Sequence, residues 1–175
     1  MQLHRAAIFL TVLLLTQMGC SSIHGLRPVT PRFRSFAPGT AIPRVAPEDV
    51  EFQWEQFPNE KQAKGIAKAG TSITDLSYDL CVFAIEHGRY EAIHLQEGIR
   101  TNSFSLDHSL EPAKDYAWSV RARYREDGEQ KTTEWSNYSN FGFIGIGWWY
   151  FRDAKFPFKT LEADNVPNKA LEGTR

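Results

Sequence analysis

The side chains able to do chemistry in this chain are few and scattered. His87, His94 and His108 have no zinc-like spacing and no cysteine partners, and His4 and His24 fall in an apolar leader and a proline-rich stretch. Such a distribution predicts no metal centre. There is no Gly-rich phosphate loop and no Gly-x-Ser-x-Gly elbow, and the carboxylates show no spacing that would single out an acid and base pair. The expectation is a chain without catalysis of its own, without cofactor and without metal. What remains is the chemistry of aromatic rings. In "FGFIGIGWWYFRDAKFPF", residues 141–158, Trp148, Trp149 and Tyr150 stand consecutively, followed by Phe151, Phe156 and Phe158. Rings presented together stack on sugars, fill the centre of a protein interface or sit at a membrane surface. Trp148, Trp149 and Tyr150 are therefore the candidate partner-binding residues; the alternative is that the segment folds back over a sheet edge.

The N-terminal residues read as an address. Ala6 to Leu15 is apolar apart from Thr11, follows a single positive charge at Arg5, and is too short to span a hydrocarbon layer of about 30 Å. "QMGC", Gln17 to Cys20, resembles the lipobox of bacterial lipoproteins, with Gln17 where that family favours leucine. The resemblance implies a signal peptide over 1–19, acylation of Cys20 with palmitate-type chains, and cleavage just before it. Ser21 in place of an aspartate implies the outer membrane of a Gram-negative cell. A plain secretory signal peptide is the other reading, and both take the chain out of the cytoplasm. Residues 20–45 then read as a tether: "GLRPVTPRFRSFAPGTAIPRVAP" holds five prolines and no acidic residue, which keeps a chain extended. Arg27, Arg32, Arg34 and Arg44 either hold that tether to anionic lipid or are simply solvated.

A hydrophobic share of 42% against 23% charged residues suits a chain with a packed core, and a net charge of -1 gives no electrostatic case for nucleic acid. With Cys20 acylated, Cys81 is alone in the apolar run "YDLCVFAI" and reads as an inert, buried thiol.

From Val50 the apolar residues recur at every second position, the period of a half-buried strand. "VEFQWEQF" sets Val50, Phe52 and Trp54 on one face. "LSYDLCVFAI" sets Leu76, Tyr78, Leu80, Val82 and Ala84 on one face and Cys81, Phe83 and Ile85 on the other, as in a central strand. "YEAIHL" and "SFSLDHSL" are shorter candidates. "DYAWSVRARY" faces Tyr116, Trp118, Val120, Ala122 and Tyr124 one way and Arg121 and Arg123 the other; the turn pair Asp127-Gly128 follows, then a strand through "TTEWSNYSNFGF". "NEKQAKGIAKAG" reads as a solvated loop insertion with room for one short helix. The series predicts an all-β antiparallel sandwich.

Three features in residues 46–145 resemble a fibronectin type III domain, an immunoglobulin-like sandwich: Trp54 on an early strand, the Tyr78-x-Leu80-x-Val82 strand, and Leu110-x-Pro112-x-x-x-Tyr116 running into Trp118-x-Val120. The resemblance implies a tyrosine corner, in which the Tyr116 hydroxyl bonds back to the backbone just upstream. "WSNYS", Trp135 to Ser139, resembles the Trp-Ser-x-Trp-Ser box of some relatives, with Tyr138 for the second tryptophan. This implies an arginine-aromatic ladder of Arg121, Arg123, Trp135 and Tyr138. Residues 146–175 are read as an aromatic extension and polar tail. The combined expectation is a membrane-tethered, extracytoplasmic binding or assembly module with an envelope protein as partner, or else a carbohydrate or peptidoglycan-binding accessory domain.

Overall fold

The computed structural model describes residues 20–33, 41–144 and 147–163, with side chains over 23–33, 41–138 and 154–163, and among the described residues it holds twelve strands and one helix. The signal peptide expected over 1–19 and the tail from 164 lie outside the described residues. The strands in chain order are β1 (Cys20–His24), β2 (Pro28–Thr30), β3 (Arg44–Val45), β4 (Glu51–Trp54), β5 (Ile73–Glu86), β6 (Arg89–Ile99), β7 (Ser103–Ser105), β8 (Asp115–Glu126), β9 (Glu129–Thr132), β10 (Asn137–Ile144), β11 (Gly147–Ala154) and β12 (Phe156–Thr160).

The architecture is an all-β sandwich. One sheet runs β3-β12-β8-β5-β6, with β9 also paired to β8; the facing sheet is β2-β4-β7. Pairing is antiparallel except between β3 and β12. Two-residue turns at His87-Gly88 and Asp127-Gly128, all four residues at positive φ, close the β5-β6 and β8-β9 hairpins in the conformation that matches strand twist. The alternation read from the sequence sets the inner faces: Tyr78, Leu80 and Val82 of β5 and Tyr116, Trp118 and Val120 of β8 are buried against Phe52 and Trp54 of β4. Across the sandwich the rings of Trp54 and Tyr78 stand 5.4 Å apart and those of Phe52 and Trp118 5.3 Å, within the range of favourable aromatic packing.

Residues 59–70 use the room for one short helix that the sequence allowed. They hold helix α1 (Glu60–Ala69), started by a reciprocal capping box between Asn59 and Gln62 and stopped by Gly70 in the left-handed conformation. None of its residues is buried, so it decorates the sandwich without contributing core.

Both expected domain boundaries move outward. The described part of the tether is structured: β2 pairs with β4, and Leu26 and Phe33 lie in the core. The prolines of this segment suit it to the short outer strand β2, where a missing N–H is tolerated. At the other end, β12 lies beyond the expected limit at residue 145 yet belongs to the main sheet, pairing Phe156 with Trp118 and Phe158 with Tyr116. Phe156 and Phe158 are 0% exposed.

The expected strand through "TTEWSNYSNFGF" is broken in two, because the chain leaves the sheet at Ser136. Along one edge of β8 lie, in order, β12, residues 133–136 and β9. In the middle stretch, side-chain hydroxyls replace backbone carbonyls: Ala122 N–H donates to Thr133 Oγ1 and Val120 N–H to Ser136 Oγ, both at 2.9 Å. Between Ser136 and β12 the chain makes an excursion, β10 and β11, which with β1 forms a separate three-stranded sheet.

Candidate functional site

The tyrosine corner is built locally. Leu110 is buried and Pro112 exposed, and the Tyr116 hydroxyl accepts from Glu111 N–H at 3.0 Å. Thr160, at the end of β12, ties down the same loop, its hydroxyl donating to the Glu111 carbonyl at 2.7 Å and accepting from Lys114 N–H at 3.0 Å. A second tyrosine does the same work over a longer loop: the Tyr78 hydroxyl accepts from Phe57 N–H at 3.1 Å. Burial raises the pKa of both phenols, with the backbone hydrogen bond opposing it in each. Both therefore stay protonated and structural.

On the outward face of the main sheet, Asp79 of β5 is 0% exposed and accepts from Arg121 Nε at 2.7 Å and Arg123 Nε at 2.6 Å. Arg123 also pairs with Glu97 of β6. A buried carboxylate needs this compensation, and the two arginines project from β8 beside it because Asp79 and Arg121 are register partners. The arginine-aromatic ladder is reduced accordingly. The Arg121 guanidinium lies 4.6 Å from the Trp135 ring centre, a contact worth about 0.5–1 kcal/mol. Arg123 is committed to carboxylates. Tyr138 is 2% exposed and sets its ring edge-on to Phe33 at 5.5 Å, a core residue joining the N-terminal segment to the sandwich. Sequence reasoning missed Asp79, whose only signal was an acidic residue inside an otherwise apolar strand.

Further along β5 the same face carries Cys81 and Phe83. Cys81 is buried, its thiol pushed up in pKa by burial against an opposing effect of Lys155, which makes it a poor nucleophile. Lys155 Nζ sits 4.5 Å from the Phe83 ring centre and 5.8 Å from that of Tyr90. Beyond them, β6 ends the sheet with an eleven-residue strand on which Tyr90, Ile93 and Leu95 are 43%, 42% and 56% exposed.

At the inner margin of β6, the ring of His94 lies 5.6 Å from Phe104 of β7 and 5.5 Å from His108, which is bonded to Asp107 at 2.8 Å. Burial first, and His108 next, hold His94 below its usual pKa, with Asp107 opposing. Among the described residues no group of three or more histidine, cysteine, aspartate or glutamate side chains could hold a metal ion.

No family model, curated protein or solved structure matches this chain.

The aromatic candidates lie on β11, the outer strand of the excursion sheet. There Phe143 pairs with Trp148, Gly142 with Trp149 and Phe141 with Tyr150; the side chains of 139–153 are outside the description. Cys20 opens β1 in that same sheet, opposite Phe141. Among the described residues no helix is long and apolar enough to cross a membrane.

Proposed function

We propose that this chain is a non-catalytic, extracytoplasmic module of a bacterial cell envelope, tethered through a lipid on Cys20, that binds a protein partner. The tyrosine corner, with the Trp135-Ser136 segment clamped to β8, supports its kinship with fibronectin type III domains. The observation that carries the binding role is the outer edge of β6, a long strand that no other strand pairs on one side among the described residues, exposing Tyr90, Ile93 and Leu95 beside the Arg123–Glu97 pair. Such an edge accepts an added strand from a partner, with alternate side chains giving selectivity. Affinity capture from intact envelopes tests this, comparing the native chain with Ile93→Lys/Leu95→Lys. A defined protein retained by the native chain and lost from the variant, with the circular dichroism spectrum unchanged, is the expected result; equal retention refutes the assignment to β6.

The second reading, a carbohydrate or peptidoglycan-binding accessory domain, is favoured by the consecutive Trp148, Trp149 and Tyr150 on an outer strand. It predicts that glycan fragments quench tryptophan emission. No change at saturating fragment counts against it.

A further inference from the structure

The register of the excursion sheet puts the aromatic run and the lipid attachment site at one end of the molecule. Cys20 pairs with Phe141, and Phe141 with Tyr150, so these three residues stand level across β1, β10 and β11. From that level β1 runs toward His24 and the sandwich, whereas β10 continues the other way through Gly142, Phe143 and Ile144, paired with Trp149, Trp148 and Gly147. Three further residues carry the ribbon roughly 10 Å past Cys20, at 3.2–3.4 Å per residue. No charged residue occurs from Phe141 to Phe151; the first charges, Arg152 and Asp153, lie on the sandwich side of that level.

We propose that the β10-β11 ribbon rests in the headgroup layer of the bilayer that holds the Cys20 lipid, so that the protein is seated on the membrane by a lipid and an aromatic ribbon together. This rests on the lipid-anchored reading of Cys20. Three observations favour a lipid surface over another occupant. Cys20 is itself the first residue of β1, so no slack separates the anchor from the sheet, and the ribbon meets the membrane as a consequence of the register. The run is composed of Trp, Tyr, Phe, Ile and Gly, and Trp and Tyr are the residues enriched at the membrane-water boundary. The depth also agrees: the polar layer on each side of a bilayer is about 5–8 Å thick, which a 10 Å projection crosses without carrying the ribbon far into hydrocarbon. An open strand edge could go no deeper, because its unpaired backbone groups need water or headgroups.

The experiment uses the full-length chain, processed in a Gram-negative host and reconstituted in phosphatidylethanolamine-phosphatidylglycerol vesicles, with and without bromine on the acyl chains near the headgroup. Mass spectrometry of the N-terminal peptide is run first. With Cys20 acylated, bromolipid quenches tryptophan emission in the native protein, and that quenching falls in Trp148→Phe/Trp149→Phe to whatever partly exposed Trp135 retains; Trp54 and Trp118, both 0% exposed, are out of reach. Equal quenching in the two proteins, with Cys20 acylated, overturns the seated ribbon and leaves the lipid as sole anchor. If glycan fragments rather than bromolipid quench this pair, the ribbon is a sugar site and the inference falls. An unmodified Cys20 removes the anchor reading itself, and the inference with it. Trp148→Phe/Trp149→Phe keeps aromatic volume, and its urea midpoint is compared with the native value so that loss of fold is separated from loss of contact.

Discussion

Strands β11 and β12 are neighbours in sequence, both rich in aromatic residues, and they have opposite fates. β12 returns to the main sheet and buries Phe156 and Phe158 completely between Trp118, Tyr116 and Phe52. β11 stays outside the sandwich as the outer strand of the β1-β10-β11 sheet. Composition does not separate the two; the partner strand does. β8 has a free edge only where β9 and residues 133–136 leave off, and the five residues of β12 fill that gap. The lesson is that an aromatic run becomes core when a sheet edge of the right length is left open for it.

The sharpest test of this contrast compares the two strands directly. Phe158→Ala should cost about 3–5 kcal/mol, the range for removing a buried aromatic ring, whereas Trp148→Ala/Trp149→Ala should leave the urea midpoint near that of the native chain. Equal losses would mean that the ribbon is also core. The junction between the two regions gives the next effect. Gly25, at φ +74°, lies where an added Cβ would meet Ser136 Cα at 2.9 Å, so Gly25→Ala should destabilise by at least about 1 kcal/mol through strain and displaced backbone. Its urea transition should shift while Gly65→Ala, in the exposed helix with open space around it, stabilises slightly.

The outward face of the main sheet supplies a third comparison. Asp79→Ala strands two half-exposed arginines and should cost about 2 kcal/mol, the scale for hydrogen bonds to charged groups; chemical denaturation of Asp79→Ala and of Arg121→Ala/Arg123→Ala, with the triple variant, would give the coupling. The two tyrosines come next, each at about 1 kcal/mol for loss of a hydroxyl that satisfies a loop amide. Tyr116→Phe should free the Glu111 loop and Tyr78→Phe the Phe57 loop, read by amide exchange at those two residues.

The smallest effect is in pH. Because His94 is held below its usual value of 6.5 in the fold, the native state binds fewer protons there than the unfolded chain. Its contribution is present above pH 6.5 and declines as pH falls below it. His94→Phe should flatten the slope of stability on the acid side of 6.5; an unchanged slope would exclude His94 as its source.

Much of the sandwich was legible because its determinants are local. The period-two pattern of β5 and β8 assigns inner and outer faces without reference to any partner, and the Leu110–Tyr116 spacing places a hydroxyl within reach of an amide five residues away. The two glycine turns are written in residues that accept positive φ. The candidate site was less legible. "TTEWSNYSNFGF" alternates like one strand, yet the structure divides it, since alternation does not record that Ser136 and Thr133 substitute hydroxyls for carbonyls on β8. The proline-rich segment around Leu26 and Phe33 reads as tether because its burial depends on β4 and on Tyr138, neither of them near in sequence.

The sequence by itself determined that this chain makes pleated, two-faced strands with an aromatic core and a tyrosine corner. Only the tertiary structure decided which strands meet: that Asp79 lies between Arg121 and Arg123, that Tyr78 holds Phe57 across twenty-one residues, that β12 closes the sandwich, and that Cys20 stands level with Phe141 and Tyr150. The reason is physical. A residue's own neighbours fix its backbone preference and its face, but pairing across the chain is a competition among distant edges, settled by the burial and hydrogen bonds that the whole fold makes available.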